Sequence, residues 1–414
     1  MKKRLMPALI LVPALLLFGC RSPAQQPLDE TDSQQAAQQE TSSQNSAVFT
    51  ALQRSSGWNY GGYAQDGFYY VSSTVSEDGS TNLMYLDYAT MQTIYLCSQP
   101  NCSHDTEACT SFLPYSAGGI LCSVVGDQLV LIFPGNVRAS VPASSTVLPH
   151  IEVMGLDGSD RKTTVTFEAS QQINRPLVTD GTNIYCELDT ATEDGNMTAE
   201  LIQVNPGTGA TETICPLNQE WVKGGAGSRL ILLDANGNYT AFDPITGERE
   251  TVRTVSDAVV NSLLQDTTLV YKEDGYCHLL DLASGNTVHL SGFELPGDEE
   301  AFVNFVDADA THLIFQIETA SHQNGASMED GYYMVTGDET PQKWDLLYTS
   351  GENAMPADRI TSVSDDRYLV ITGENPVQTS TNAQYVATGE KEYSLIPQED
   401  YWNGVAPATA SAQQ

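Results

Sequence analysis

The chain has 414 residues, enough for one large core or two domains. Acidic residues number 53 against 18 basic ones, a net charge of −35. Beyond the first four residues no Lys/Arg cluster occurs. That excludes nucleic-acid backbone recognition and adhesion to anionic lipid through a basic surface. It leaves a well-solvated surface able to attract cations or cationic partners.

The chain opens with Lys2, Lys3 and Arg4, followed by an apolar run from Leu5 to Phe18. That run is too short to span a bilayer comfortably and has the length of a signal-peptide core. Leu17-Phe18-Gly19-Cys20 resembles a bacterial lipobox. The resemblance implies that residues 1–19 are a removable signal and that Cys20 carries the lipid. It also implies that the protein is held by acyl chains on the extracytoplasmic face of a cell membrane. An ordinary signal peptide with an incidental cysteine is the alternative. Without Lys2, Lys3 and Arg4 the balance becomes 15 basic against 53 acidic residues, or −38. Residues 20–46 are dominated by Gln, Ser, Ala and Thr with one Leu and no aromatic residue. Such a segment buries too little apolar area to order itself and reads as a flexible tether.

From Tyr60 onward, short apolar runs rich in β-branched and aromatic residues alternate with Asp/Gly/Asn turns, the pattern of an all-β domain. The clearest unit is Arg229–Leu233, a turn at 234–238, Tyr239–Asp243, a turn at Pro244–Gly247, and a run to Val252. The next unit, from Thr268 to Leu290, repeats it. An apolar residue followed by Asp or Asn before a turn recurs at Leu86-Asp87, Leu156-Asp157, Val204-Asn205, Phe242-Asp243 and Leu280-Asp281, with degenerate copies at Val335-Thr336 and Val386-Ala387. Copies lie about 40–60 residues apart, the spacing of β-propeller blades. Seven four-stranded blades are expected over residues 47–405, with inner strands near Tyr60, Ile120, Leu177, Val222, Leu263, Val303 and Ile360. A β-sandwich array or β-helix is the alternative. Val48-Phe49 and Tyr401-Trp402 are both candidates to complete the last blade, and 406–414 read as a frayed tail. On Leu83-Met-Tyr-Leu-Asp87 and its copies, the stretch 55–400 resembles the TolB-like and YWTD-like propellers, which implies a fold rather than an activity.

In a four-stranded meander, the loops between the second and third strands share one face with the links between blades. Here five such loops read as long: Ser72–Thr81, Pro134–His150, Leu188–Thr198, Glu318–Asp330 and Gly373–Asn382. That face is the expected binding surface for a protein, peptide or glycan partner.

After the run Thr93–Leu96 comes Cys97-Ser-Gln-Pro-Asn-Cys102-Ser-His104-Asp-Thr-Glu-Ala-Cys109. Three thiols and an imidazole form a recognised tetrahedral zinc set, although the Cys-x4-Cys-x-His-x4-Cys spacing departs from that of common zinc ribbons. A disulfide among Cys97, Cys102 and Cys109 is the competing reading in an oxidising exterior, and free thiols are the third. The segment also resembles one found in uncharacterised surface lipoproteins of Gram-positive bacteria, and that resemblance implies that His104 belongs to the unit. In each case the expected role is to close a loop. Cys122, Cys186 and Cys277 lie in apolar runs and Cys215 ends one, as core cysteines do. His278, His289 and His312 lack a second ligand-type neighbour and read as structural.

No Gly-x-Ser-x-Gly elbow, His-Glu-x-x-His pair or phosphate-binding Gly-x4-Gly-Lys loop occurs. Asp307-Ala-Asp309 and Asp365-Asp366 read as turn residues. Three functional classes remain: a non-catalytic binding or scaffold propeller, an extracytoplasmic hydrolase or lyase using channel carboxylates, and a metal or redox sensor built on the Cys/His cluster.

Overall fold

The computed structural model describes residues 47–54, 61–116, 119–137, 147–296, 301–319, 328–350, 353–375 and 389–406. Cys20 and the expected turn at Val386-Ala387 lie outside them.

Strand β1 (Thr50–Ala51) precedes the first blade. Blade 1 holds β2 (Gly61–Tyr63), β3 (Gly67–Val71), β4 (Thr81–Asp87) and β5 (Thr93–Tyr95), with β6 (Phe112–Leu113) on the same edge of β4 as β5. Blade 2 holds β7 (Leu121–Val125), β8 (Gln128–Phe133), β9 (His150–Gly155) and β10 (Lys162–Thr166). Blade 3 holds β11 (Gln171–Thr179), β12 (Ile184–Ala191), β13 (Met197–Val204) and β14 (Thr211–Pro216). Blade 4 holds β15 (Glu220–Ala226), β16 (Arg229–Asp234), β17 (Asn238–Phe242) and β18 (Arg249–Thr254), and a short helix α1 (Ala258–Asn261) leads out of it. Blade 5 holds β19 (Ser262–Gln265), β20 (Thr268–Glu273), β21 (Tyr276–Asp281) and β22 (Thr287–Leu290). Blade 6 holds β23 (Ala301–Ala308), β24 (His312–Thr319), β25 (Gly331–Thr336) and β26 (Gln342–Lys343). A hairpin, β27 (Leu347–Ser350) and β28 (Asn353–Pro356), then leads to blade 7. Its described strands are β29 (Asp358–Ser364), β30 (Arg367–Asn375) and β31 (Glu390–Pro397), followed by α2 (Gln398–Trp402). The molecule is a seven-bladed β-propeller, and every expected inner strand is in place.

The turn residues explain the repeating signal. Asp87, Asp157, Asn205, Asp243 and Asp281 each accept a backbone N–H two or three residues on, from Thr90, Ser159, Thr208, Ile245 and Ala283. This local bond turns the chain between the third and fourth strands of blades 1 to 5. The middle strands are apolar on both faces because each blade packs on two neighbours. In β8, Leu129, Leu131 and Phe133 pack towards blade 1, while Val130 and Ile132 pack towards blade 3. Each such fully buried side chain contributes about 1.5–3 kcal/mol.

The ends of the ring differ from expectation. Val48-Phe49 does not complete the last blade. Thr50 and Ala51 instead pair with Thr179 and Val178 of β11, the inner strand of blade 3. The Phe49 N–H donates to the Gly227 carbonyl and the Leu52 N–H to the Leu177 carbonyl. Residues 48–54 therefore run up the central channel from the short-turn face. Gly225 makes this possible, because a Cβ there would stand 2.7 Å from the Phe49 carbonyl oxygen. Tyr401-Trp402 adds no strand but forms α2, where the Trp344 indole donates to the Tyr401 carbonyl at 2.7 Å. The loop expected over Leu188–Thr198 is also shorter than its sequence suggests. Both flanking strands extend, leaving only Thr192–Asn196, closed by Asp194 accepting from the Thr192 hydroxyl and the Asn196 amide.

Candidate metal centre and binding face

Strand β5 leaves the edge of β4 at Leu96, whose N–H donates to the Leu83 carbonyl, and β6 resumes the same edge opposite Thr81 and Asn82. The Cys/His segment is thus an excursion out of the outer strand of blade 1. Asn101 and His104 adopt left-handed backbone (φ 58° for each), which folds the excursion back on itself. The His104 ring stacks on Tyr95 with centroids 4.2 Å apart, and Asn82 donates to the His104 carbonyl. Its Nδ1 lies 3.3 Å from Cys109 Sγ. The ligand atoms of Cys97, Cys102, His104 and Cys109 all fall within 4.8 Å of one another, and all seven described cysteines are free thiols. In a tetrahedral site with metal–sulfur bonds of about 2.3 Å, ligand atoms stand roughly 3.8 Å apart. Small side-chain movements close that gap, so the cluster can hold a metal ion.

The electrostatics of the four groups differ. Burial pushes the Cys109 thiol up to about 11. At Cys97 burial opposes ionisation, but the Gln99 N–H and the neighbouring sulfurs outweigh it and hold the thiol below its ordinary value. Arg161 braces the far side: its guanidinium donates to the Thr110 and Phe112 carbonyls and pairs with Glu152 at 2.7 Å. The cluster therefore sits on the rim between blades 1 and 2, reaching the β9–β10 turn, rather than over the long-loop face alone. Of the other cysteines, Cys122, Cys186 and Cys277 are buried as expected, and Cys215 is half-buried against Arg249. His278 and His289 pack on Tyr271, Tyr276 and each other, and His312 bonds Asp309 and stacks on Trp402.

The long-loop face carries an apolar row that sequence reading did not single out. Trp221 and Phe302 are each the second residue of an inner strand, and Val259 and Val260 lie in α1. All four are exposed, Val259 by 89%. Trp221 borders two clefts. One, of about 700 Å³, lies between blades 3 and 4 with Gln172, Asn174, Glu187 and Asp189 in its wall. The other, of about 720 Å³, includes α1 and Phe302. In the first, Glu187 is pushed up to about 7 by burial and by the adjacent Asp189 carboxyl, against a stabilising bond from Asn174.

The central channel holds a third cavity of about 450 Å³ between residues 48–54 and blades 1, 5 and 7. Beside it, Asp307 is a hub rather than the turn residue its Asp-Ala-Asp context suggests; only Asp309 plays that part, accepting from the Thr311 and His312 N–H groups. Asp307 accepts from Arg359 Nε at 2.8 Å and Nη2 at 2.9 Å, from the Tyr401 hydroxyl at 2.7 Å, and from Arg54. Burial works against its charge, but the two guanidiniums hold it below the usual carboxylate range. Asp358 lines the same cavity and is pushed up to about 6 by burial.

No known family profile matches the chain, and no curated protein matches its sequence. The structural neighbours are propeller proteins. An oligogalacturonate lyase in complex with manganese shares 11% identity, with a TM-score of 0.46 over 82% of this chain and 88% of that one. An oligogalacturonate lyase from Vibrio parahaemolyticus shares 10% identity, with a TM-score of 0.44 over 79% and 88%. TolB from Acinetobacter baumannii shares 13% identity, with a TM-score of 0.29 over 81% of each chain. Likeness at this level carries no argument about activity.

Proposed function

We propose that the protein is a lipid-anchored, extracytoplasmic binding module whose long-loop face receives a protein, peptide or glycan partner. The observation that carries this reading is the exposed row Trp221, Val259, Val260 and Phe302, set between two clefts. Exposed apolar patches rimmed by polar residues mark interaction surfaces. The path of residues 48–54 supports the same reading, because they enter the channel from the opposite, short-turn face. The anchor is Cys20. The Cys97, Cys102, His104 and Cys109 cluster holds a structural zinc, and four protein ligands leave no open position for a reacting water.

A photo-crosslinking residue at Phe302 tests the reading in cells, with one at Ile245 as control. Ile245 is 85% exposed and sits in the β17–β18 turn on the opposite face. Adducts at Phe302 but not at Ile245 are expected; equal labelling at both refutes the reading. Cys20→Ser is expected to release the protein from the membrane fraction. A second reading, a hydrolase or lyase, rests on Asp358 in the channel cavity. It requires a turnover that Asp358→Asn abolishes.

A further inference from the structure

The cleft between blades 3 and 4 has a strongly polar wall. It is lined by the carboxamides Asn136, Gln172, Asn174 and Gln219 together with Glu187 and Asp189. Its volume of about 700 Å³ lies within the range of small-ligand sites. Glu187 and Asp189 stand two residues apart on one face of β12, and they are 7% and 9% exposed. Trp221 stands at the mouth. The other described tryptophans, Trp344 and Trp402, are buried.

The polar groups form a directional chain. The Val137 N–H donates to Gln172 Oε1 at 3.1 Å, Gln172 Nε2 donates to Asn174 Oδ1 at 2.8 Å, and Asn174 Nδ2 donates to Glu187 Oε1 at 3.0 Å. Gln172 and Asn174 thus each commit one N–H and one oxygen to this chain, and a carboxamide can donate and accept more than that. Beyond Glu187 stands Asp189, two residues on along the same strand face. Burial and the adjacent Asp189 carboxyl push Glu187 up to about 7, so burial holds down its charge near neutral pH. Arg175 stands in the same wall, and Glu220 is held by Arg249. A wall of carboxamide donors and acceptors around two carboxyls, beside an exposed indole, matches a ligand that is not anionic, rich in hydroxyls and flat on one face.

We propose that this cleft binds a neutral oligosaccharide, with a sugar ring stacked on Trp221 and its hydroxyls bonded to the carboxamides and the Glu187–Asp189 pair. The proposal rests on the long-loop face being the binding face and names the ligand class of one part of it. A metal ion would need more converging ligands: among the described residues, the Cys/His cluster is the only group of three or more His, Cys, Asp or Glu ligand atoms brought together. Cleavage is not expected. Glycosidase carboxyls flank the scissile bond from two sides, whereas these two stand side by side on one face of β12.

Trp221 fluorescence of the full chain provides the test, titrated with cellohexaose, maltohexaose and chitohexaose, and with hexagalacturonate and pentalysine as charged comparators. Saturable quenching by at least one neutral hexaose, with no new reducing ends, is expected. Calorimetry should show about tenfold weaker binding for Trp221→Ala and for Gln172→Ala/Asn174→Ala, each checked for an unchanged thermal melt. Phe302→Ser, in the other cleft, should bind normally. No saturable binding of any neutral hexaose up to about 5 mM overturns the proposal. So does binding that survives both cleft variants. Binding of only a charged comparator overturns the ligand class yet leaves the binding face standing, and binding lost in Phe302→Ser alone moves the site to the other cleft.

Discussion

Replacing Asp307 by Asn should unlock the closure of the ring. Asp307 is 3% exposed and is shared by Arg359, Arg54 and Tyr401, which belong to blade 7, the N-terminal segment and α2. Asparagine keeps the shape but removes the charge. The Arg359 side chain, 4% exposed, keeps its bond to the Ala308 carbonyl, but its nearest ion-pair partner among the described residues is then Asp266, 3.6 Å away on a carboxylate 57% exposed. Removing one partner of a buried ion pair costs about 3–5 kcal/mol, because the remaining charge stays desolvated. At about 2.1 cal/mol/K per residue, a propeller of roughly 360 residues unfolds with an entropy of about 0.75 kcal/mol/K, so Tm should fall by about 4–7 °C. The folded Asp307 carboxyl is held below the ordinary range, so its contribution is present above that range and lost as pH falls through the lowered value. The gap between wild type and variant should therefore be constant around neutral pH and close only in acid. Scanning calorimetry of both proteins from pH 7 downwards is the assay. The double variant Asp307→Asn/Arg359→Met should recover part of the loss, since neither charge is then left alone. A Tm change of less than about 1 °C in the single variant, or a double variant less stable than the single, refutes the reasoning.

Three further outcomes are expected. Chelation of the purified protein, or Cys102→Ser, should remove one equivalent of metal by native mass spectrometry and lower Tm; protein isolated without metal and indifferent to chelator contradicts the zinc centre. Glu187, raised from an ordinary value near 4.5 to about 7, binds its proton more tightly folded than unfolded. Its contribution is thus complete below pH 4.5 and lost as pH rises through 7, by at most about 3 kcal/mol at about 1.4 kcal/mol per pH unit. Glu187→Gln should flatten that slope in urea titrations run at several pH values. Gly225→Ala should expel residues 48–54 from the channel, because the new methyl meets the Phe49 backbone. Limited proteolysis near Arg54, faster than in wild type, would report it, and an unchanged digestion pattern would count against the close approach.

The blade count was legible because it rests on short-range chemistry. Asp243 and Asp281 bond backbone two residues away, and a run such as Leu230–Leu233 is apolar because it is covered on both sides. The Cys/His cluster was legible for the same reason, its ligands spanning thirteen residues. The channel network was not, since Arg54 and Asp307 are 253 residues apart and neither sits in a pattern that a local period could flag. Asp307-Ala-Asp309 misled because two identical side chains, two positions apart, take opposite roles depending on which way the strand end turns. Trp221 and Phe302 were hidden by strand alternation: as second residues of inner strands they look like core until their blade exposes that end.

The course of residues 48–54 also has a mechanical meaning. Val48 is exposed on the short-turn side, and the chain climbs from there antiparallel to β11 before Arg54 docks on Asp266 and Asp307. A pull on the chain at Val48, directed away from that face, acts along β1. The bonds from Phe49, Leu52 and the β1–β11 pair would bear that load together in shear, with the Arg54 ion pairs behind them as a stop. A segment laid on the outer edge of a blade would instead peel away one bond at a time. The propeller is thus gripped through its axle, and tension on the N-terminal side is spread into the ring rather than into a single blade.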